Sequence, residues 1–274
     1  MIYITFTNHI GLNDHKVINS SSGHIFSYVI SAFCYSVFLD AQIAFHSSWT
    51  SQQIFTEKSL LKYTSQINNL KLEKINMNFD LEKINIFLNQ INEDKFFDLK
   101  NIGTFHIKDL CRINVDIYKT KLKPLLREIY FNDHLEFKLD KAVIHIRKGD
   151  LSDDPRYKKF NLKYYKNIIN IIKNKYNILV ICEKMNYGNV SKLKDCEIIF
   201  GDEDDISRDF NYMVNAKVLI TACSCFSLAA GYLNQNNVYY DKQFIGIRGD
   251  LFERLSSVPN FICFNDLNHL KTII

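Results

Sequence analysis

The run Lys141-Ala142-Val143-Ile144-His145-Ile146-Arg147-Lys148-Gly149-Asp150 ends an apolar, β-branched stretch in an imidazole, two cations and a carboxylate. An apolar run that stops abruptly in charge and glycine reads as a buried strand entering a loop. Strand side chains alternate, so Val143, His145 and Arg147 share one face and Ile144 and Ile146 the other. A strand end at which polar groups simply meet water would account for them too. The cluster of Arg147, Lys148 and Asp150 favours a binding loop, because open α/β sheets take ligands at their carboxyl ends.

A second stretch complements the first. Cys223-Ser224-Cys225 precedes a helix rich in small residues, Phe226-Ser227-Leu228-Ala229-Ala230-Gly231. Free backbone N–H groups and the helix dipole at such a start hold phosphate oxygens, and Ser224 or Ser227 can cap it and add a hydroxyl. A cap and nothing more is the plainer alternative. An arginine fork at one strand end and a helix N-terminus at another can hold a pyrophosphate without a metal. No Walker lysine, GxGxxG or metal-type carboxylate pair accompanies them, so the chemistry that fits is a nucleotide diphosphate leaving group.

The elements that must position these groups follow from periodicity. Residues 2–7 read as a strand, 25–38 as a helix and 42–45 as a second strand, with Gly23 in the loop that enters the helix. Between Ser51 and Leu99 the pattern loosens, and helices and loops are expected. Ile107 to Tyr130 reads as a helix that Pro124 kinks or restarts. Asn132-Asp133-His134 breaks the pattern and sets a domain boundary, giving domains 1–135 and 136–274. Beyond it strands at 141–147, 177–182, 196–200, 217–222 and 237–240 alternate with helices at 162–174, 207–215 and 226–233. That alternation predicts an α/β fold with parallel sheets covered on both faces.

The totals narrow the class. Net charge is +4 from 34 basic and 30 acidic residues, too mild to argue for nucleic acid. Seven cysteines with no CxxC pair read as buried thiols of a reducing compartment rather than as disulfides or a zinc site. The opening Met1-Ile2-Tyr3-Ile4-Thr5 has no basic segment, and the most apolar stretch, Ile25 to Leu39, falls short of the ~20 residues of a spanning helix. The expectation is a cytoplasmic protein with no transmembrane segment, able to rest on a membrane surface.

His145-Ile146-Arg147-Lys148-Gly149-Asp150 resembles the His-x-Arg-Arg-x-Asp signature of the α1,2- and α1,6-fucosyltransferase superfamily. Downstream, Asp209-Phe210-Asn211-Tyr212-Met213, the strand Val218-Leu219-Ile220 and Cys223-Ser224-Cys225-Phe226-Ser227 resemble that superfamily's next motif, in the same order. The resemblance covers roughly residues 141–240. Lys148 stands where the family has its second arginine, and Ala222-Cys223 where it has Ser-Asn.

The resemblance implies a GT-B-like fold, two Rossmann-like domains with parallel sheets facing a central cleft. It implies inverting, metal-independent transfer of fucose from GDP-fucose to a glycan acceptor, a galactoside in an α1,2 linkage, with no cofactor required. The C-terminal domain would bind the donor and the N-terminal domain the acceptor. By the resemblance Arg147 would bind the β-phosphate, with Lys148 beside it. His145 and Asp209 would contact the nucleoside, and Ser224, with Cys223, Ser227 and Gly23 nearby, would hold phosphate. Asp150 would brace the loop or take part in catalysis. Asp153, Asp154 and Glu183 are candidates for a general base by position. Two alternatives stay open: a transferase for another nucleotide sugar, and an inactive nucleotide-binding module.

Overall fold

The computed structural model describes residues 2–5, 22–39, 41–45, 65–66, 95–98, 107–147, 155–183, 190–201 and 206–274. The chain divides into two compact units, Met1–His134 and Leu135–Ile274.

The first unit carries a parallel sheet of strands β1 (Ile2–Thr5), β2 (Gln42–Phe45), β3 (Ser65–Gln66) and β4 (Lys95–Asp98) in the order β3-β2-β1-β4. Strands β3 and β4 fall in the stretch expected to hold helices and loops. Their shortness, two and four residues, leaves no alternation to recognise. Helix α1 (Ser22–Leu39) joins β1 to β2 and begins earlier than its apolar pattern, so Gly23 lies in its first turn. Its end is tied to β2 by two bonds between Ser36 and Ala41: Oγ to the carbonyl, 2.5 Å, and N–H to carbonyl, 2.9 Å.

Helix α2 (Ile107–Ile117), a π-helical turn (Tyr118–Leu122) and helix α3 (Lys123–Phe131) follow. The expected continuous helix breaks at Asn114 (φ −153°, ψ 96°), ahead of Pro124. The Asn114 Oδ1 accepts the N–H groups of Asp116 and Ile117 at 3.1 and 3.2 Å, so the side chain that breaks the helix caps the next turn. Pro124 sits in the first turn of α3, where a missing N–H costs nothing.

The second unit is a six-stranded, wholly parallel sheet: β5 (Leu139–Ile146), β6 (Ile178–Glu183), β7 (Glu197–Gly201), β8 (Ala216–Ile220), β9 (Asn237–Asp241) and β10 (Phe261–Phe264). Their order, β7-β6-β5-β8-β9-β10, is the 3-2-1-4-5-6 order of a doubly wound nucleotide-binding sheet. The α/β class expected from the alternation is therefore present. Helix α4 (Leu162–Ile172) connects β5 to β6, α5 (Ile206–Val214) connects β7 to β8, and α6 (Cys225–Leu233) connects β8 to β9. A last helix, α7 (Leu267–Ile273), follows β10 and packs on α4.

Ala142 to Ile146 are all buried, the signature of a strand covered on both faces. Helix α6 is buried almost all round and therefore needs small residues. A Cβ on Gly231 would stand 2.7 Å from Phe261 Cζ and 3.0 Å from Val238 Cγ1. Asn234, wholly buried past the end of α6, donates to the carbonyls of Met213 (2.8 Å) and Ala216 (3.1 Å) and fixes α6 to the α5–β8 turn. All seven cysteines are free thiols. Among the described residues no helix is long and apolar enough to cross a membrane.

Candidate functional site

Strand order alone locates a crevice. β5 and β8 are neighbours, with Ile144 opposite Ile220, yet the chain leaves β5 towards β6 and leaves β8 towards β9. Loops that diverge from adjacent strand ends open a ligand-sized gap at the carboxyl edge of the sheet. The residues beside that gap are Arg147, the first after β5, and Cys223-Ser224, which lead into α6.

Ser224 is the N-cap of α6, extended at φ −148°, ψ 134°, and its Oγ accepts the Phe226 N–H at 3.2 Å. The same Oγ accepts from Arg147 Nη1 at 3.4 Å. This contact spans the two diverging loops, and at that length it is a weak bond that a phosphate oxygen can displace. Ser227 lies deeper, fully buried. Its Oγ accepts the Ala222 N–H at 3.2 Å and lies 3.4 Å from the carbonyls of Ala222 and Ser224. It shapes the loop from within. Cys223 is buried beside the hydroxyl of Tyr157.

His145 does not meet water. It is 5% exposed, its ring 5.8 Å from that of Phe226, which in turn lies 5.3 Å from Phe210 of α5. Burial, and then the charge of Arg147, pull its pKa down to about 3, so the imidazole is neutral. Among the described residues its buried Nδ1 meets no hydrogen-bond partner. Such an orphan is costly, and it marks a position kept for something other than stability.

Asp209 sits in the first turn of α5, its side chain nearly buried. Its Oδ1 accepts from Arg208 Nε (3.0 Å) and Nη2 (2.9 Å), while Arg208 Nη2 also reaches the Phe200 carbonyl at 3.2 Å. Oδ2 lies where a Cβ on Gly201 would come within 2.8 Å, so the end of β7 admits this carboxylate only because residue 201 is glycine. Glu183 ends β6 on the same edge. Lys148, Asp150, Asp153 and Asp154 lie outside the described residues. Gly23 belongs to the first unit.

Three residues at this edge carry no motif of their own. Arg208 directly precedes the acid of the Asp209 block. Tyr157, in the β5–α4 connection, is buried with its hydroxyl in hydrogen-bond reach of Cys223 and the Arg248 guanidinium, and burial and then Cys223 push its pKa up to about 12. Arg248 follows β9, beyond the stretch that carried the family resemblance.

A cavity of about 520 Å³ lies elsewhere, at the amino end of β5, β6 and β7, lined by Lys141, Lys173, Tyr176 and Glu197. Its charges are satisfied in pairs, Lys141 with Glu197 and Lys173 with Asp195 at 2.7 Å, and it faces away from the strand ends where ligands gather. Among the described residues no three His, Cys, Asp or Glu side chains gather as metal ligands do.

No protein-family model and no curated protein matches the chain. Solved structures do. The chain is similar to the E. coli heptosyltransferase WaaC, crystallised with ADP, at TM-score 0.46 and 11% identity over 98% of this chain and 95% of that one. It is similar to a family 9 glycosyl transferase from Veillonella parvula at TM-score 0.42 and 9% identity, over 97% and 86% of the two chains. A third is the dodecameric iron-containing heptosyltransferase TibC of E. coli, in complex with ADP-D-beta-D-heptose, at TM-score 0.41 and 10% identity over 87% and 57%. With each of these scores below 0.5, the chemistry of the site rests on this chain's own residues.

Proposed function

We propose that this chain is a glycosyltransferase that binds a nucleotide diphosphate sugar in the crevice of its second unit. One observation carries the reading: at the strand-order switch, Arg147 reaches the capping Ser224 at the N-terminus of α6. A guanidinium, a hydroxyl and the N-terminus of a helix converge where a doubly wound sheet binds ligands. These are the groups that stabilise a departing diphosphate. As an acceptor hydroxyl attacks the anomeric carbon, the bond from that carbon to the phosphate oxygen breaks, and the electron pair leaves with the diphosphate. Arg147 and the helix N-terminus meet the charge that accumulates there. The hydroxyl proton passes to a carboxylate, and Glu183 is the candidate among the described residues.

GDP-fucose is the donor proposed, with a galactoside-type glycan acceptor, a cytoplasmic setting, and acceptor contacts from the first unit. The support is the His145–Asp150 signature together with the Asp209 and Ser224 blocks. A second donor class is favoured by the pairing of Asp209 with Arg208. A carboxylate already engaged by a neighbouring guanidinium is less available to read a guanine edge, which leaves ADP- or UDP-sugars in play. The test is release of nucleoside diphosphate from GDP-fucose, ADP-heptose and UDP-sugars, with and without a galactoside. Turnover of GDP-fucose above the others supports the proposal, and turnover of an ADP- or UDP-sugar moves it to the second class. Binding without turnover of any of them leaves only the inactive nucleotide-binding module.

A further inference from the structure

We propose that the exposed face of α4 and the turn before it form a docking surface for an anionic lipid bilayer, with Lys158, Lys159, Lys163 and Lys166 as its contacts. From Pro155, which follows Asp153-Asp154, to Cys182 the chain carries seven cations and no acidic residue, although the whole chain nearly balances 34 basic against 30 acidic residues. All four lysines are exposed, and among the described residues no carboxylate pairs with any of them. Lys159 lies over the Phe160 ring, 5.1 Å from its centroid, a contact that leaves its charge in place. Tyr165, Ile168, Ile169 and Ile172 form the buried side of α4, and Lys163, Lys166 and Asn170 stand on the solvent side. The turn Lys242–Phe244 after β9 packs on the same segment, with the Phe244 and Phe160 rings 4.8 Å apart, and brings exposed Lys242 to it. Acids nearby are engaged elsewhere. Asp241 is buried and accepts from the Tyr164 hydroxyl and the Gln243 N–H, each at 2.8 Å, and Asp266 caps α7 through the His269 N–H at 2.8 Å.

Two features set this face apart from an ordinary solvated one. Its cations are placed against the local field. The first turn of α4 holds no acidic residue but Lys163, where the helix dipole repels a cation, and Lys166 one turn on adds like-charge repulsion. An anionic surface turns both penalties into attraction. Pairing is also graded along the helix. At its far end Lys173 bonds to Asp195 at 2.7 Å and Lys175 to the Ile274 carbonyl at 3.0 Å. The four unpaired lysines crowd the opposite end, in the connection that leaves β5, on the sheet edge of Arg147 and Ser224. The nearby rings turn inward: Phe160 and Tyr165 are buried, and the Tyr164 hydroxyl is held by Asp241. Stacking on nucleic-acid bases needs exposed rings, whereas a bilayer asks only for several cations near its surface. Docking by this face holds the carboxyl edge of the second sheet close to the bilayer.

The experiment is co-sedimentation of the full chain with vesicles of phosphatidylcholine alone and of phosphatidylcholine with one third phosphatidylglycerol, with circular dichroism for folding. Wild type should bind the anionic vesicles and not the neutral ones, and lose that binding as salt rises from about 0.1 to about 0.5 M. Lys163→Gln with Lys166→Gln should weaken binding about tenfold or more, the scale of two cations at a charged bilayer. Lys173→Gln with Lys175→Gln changes net charge equally on the same helix and should cost less than about threefold, because those cations are already engaged. Equal losses from the two pairs, no loss from the first, or no binding of wild type to anionic vesicles overturns the proposal. Tighter binding of duplex DNA, lost in the same Lys163 and Lys166 variant, overturns it in favour of a nucleic-acid partner. If that variant does not fold, Lys158→Gln with Lys159→Gln takes its place. Affinity for GDP should be the same in all variants, so failure here leaves the donor-site reading standing.

Discussion

Replacing His145 tests whether the crevice is built at the expense of stability. Its folded pKa is about 3, against about 6.5 for an unhindered imidazole. Between those values the unfolded chain holds a proton that the native protein does not, so stability rises with pH across this window and levels off above about 6.5. The slope attributable to this one residue is about 1.4 kcal/mol per pH unit, so acidification from pH 6.5 to 4.5 removes on the order of 2 to 3 kcal/mol. Acidic residues add slopes of their own, but they are shared with a His145→Gln variant, and the difference between the two curves isolates the imidazole. His145→Phe adds a second arm. It removes the orphaned Nδ1 and suits the Phe226 and Phe210 surroundings, so it should hold or raise stability at pH 7 while weakening nucleotide binding. Urea titrations from pH 4 to 7.5 measure both effects. Parallel curves for wild type and His145→Gln, or an imidazole titrating near 6.5 by NMR, would refute the reasoning.

Three further outcomes follow from the same geometry. Gly201→Ala should cost about 1–3 kcal/mol, because its methyl meets Asp209 Oδ2, and Asp209→Ala in the same chain should recover most of that; simple additivity in thermal melts would mean that the two do not touch. Asn234→Ala removes the buried bond to the Met213 carbonyl and one of the two bonds that the Ala216 carbonyl accepts, the other coming from Asn236, and should lower urea stability by about 1–3 kcal/mol without changing nucleotide affinity; a loss under 0.5 kcal/mol would be inconsistent with those bonds. Transfer activity should survive EDTA, since guanidinium and helix N–H groups can balance the diphosphate charge; loss restored by Mn²⁺ would transfer that role to a metal.

The second unit was largely legible because its strands are buried on both faces. Ala142 to Ile144, Ile178 to Cys182 and Val218 to Ile220 read as unbroken apolar runs, and their alternation with helices implies a parallel sheet. The run of small residues in α6 likewise signals a closely packed helix at a loop with ligand chemistry. Less could be read where a side chain acts against its usual role. Asn114 ends one helical segment and caps another, a dual use with no periodic trace. The short strand β10, Phe261–Phe264, follows a stretch of turns that masks it. Burial of His145 under Phe226, and the joining of Tyr157 to Arg248, depend on contacts between segments distant in the chain, and no local pattern encodes them. The partner of Asp209 was adjacent in sequence, yet which way Arg208 turns is decided by the Phe200 carbonyl at the end of β7.

The gap between β5 and β8 is proposed to hold a nucleotide diphosphate sugar through Arg147. Single-turnover kinetics with GDP-fucose on wild type, Arg147→Ala and Arg147→Lys test it most directly, with circular dichroism to establish folding. The charge met by Arg147 grows as the diphosphate departs, so Arg147→Ala should slow the chemical step by roughly 10²-fold or more. Arg147→Lys should recover only part of that, because an ammonium lacks the planar fork. A folded Arg147→Ala variant with wild-type turnover would contradict the account.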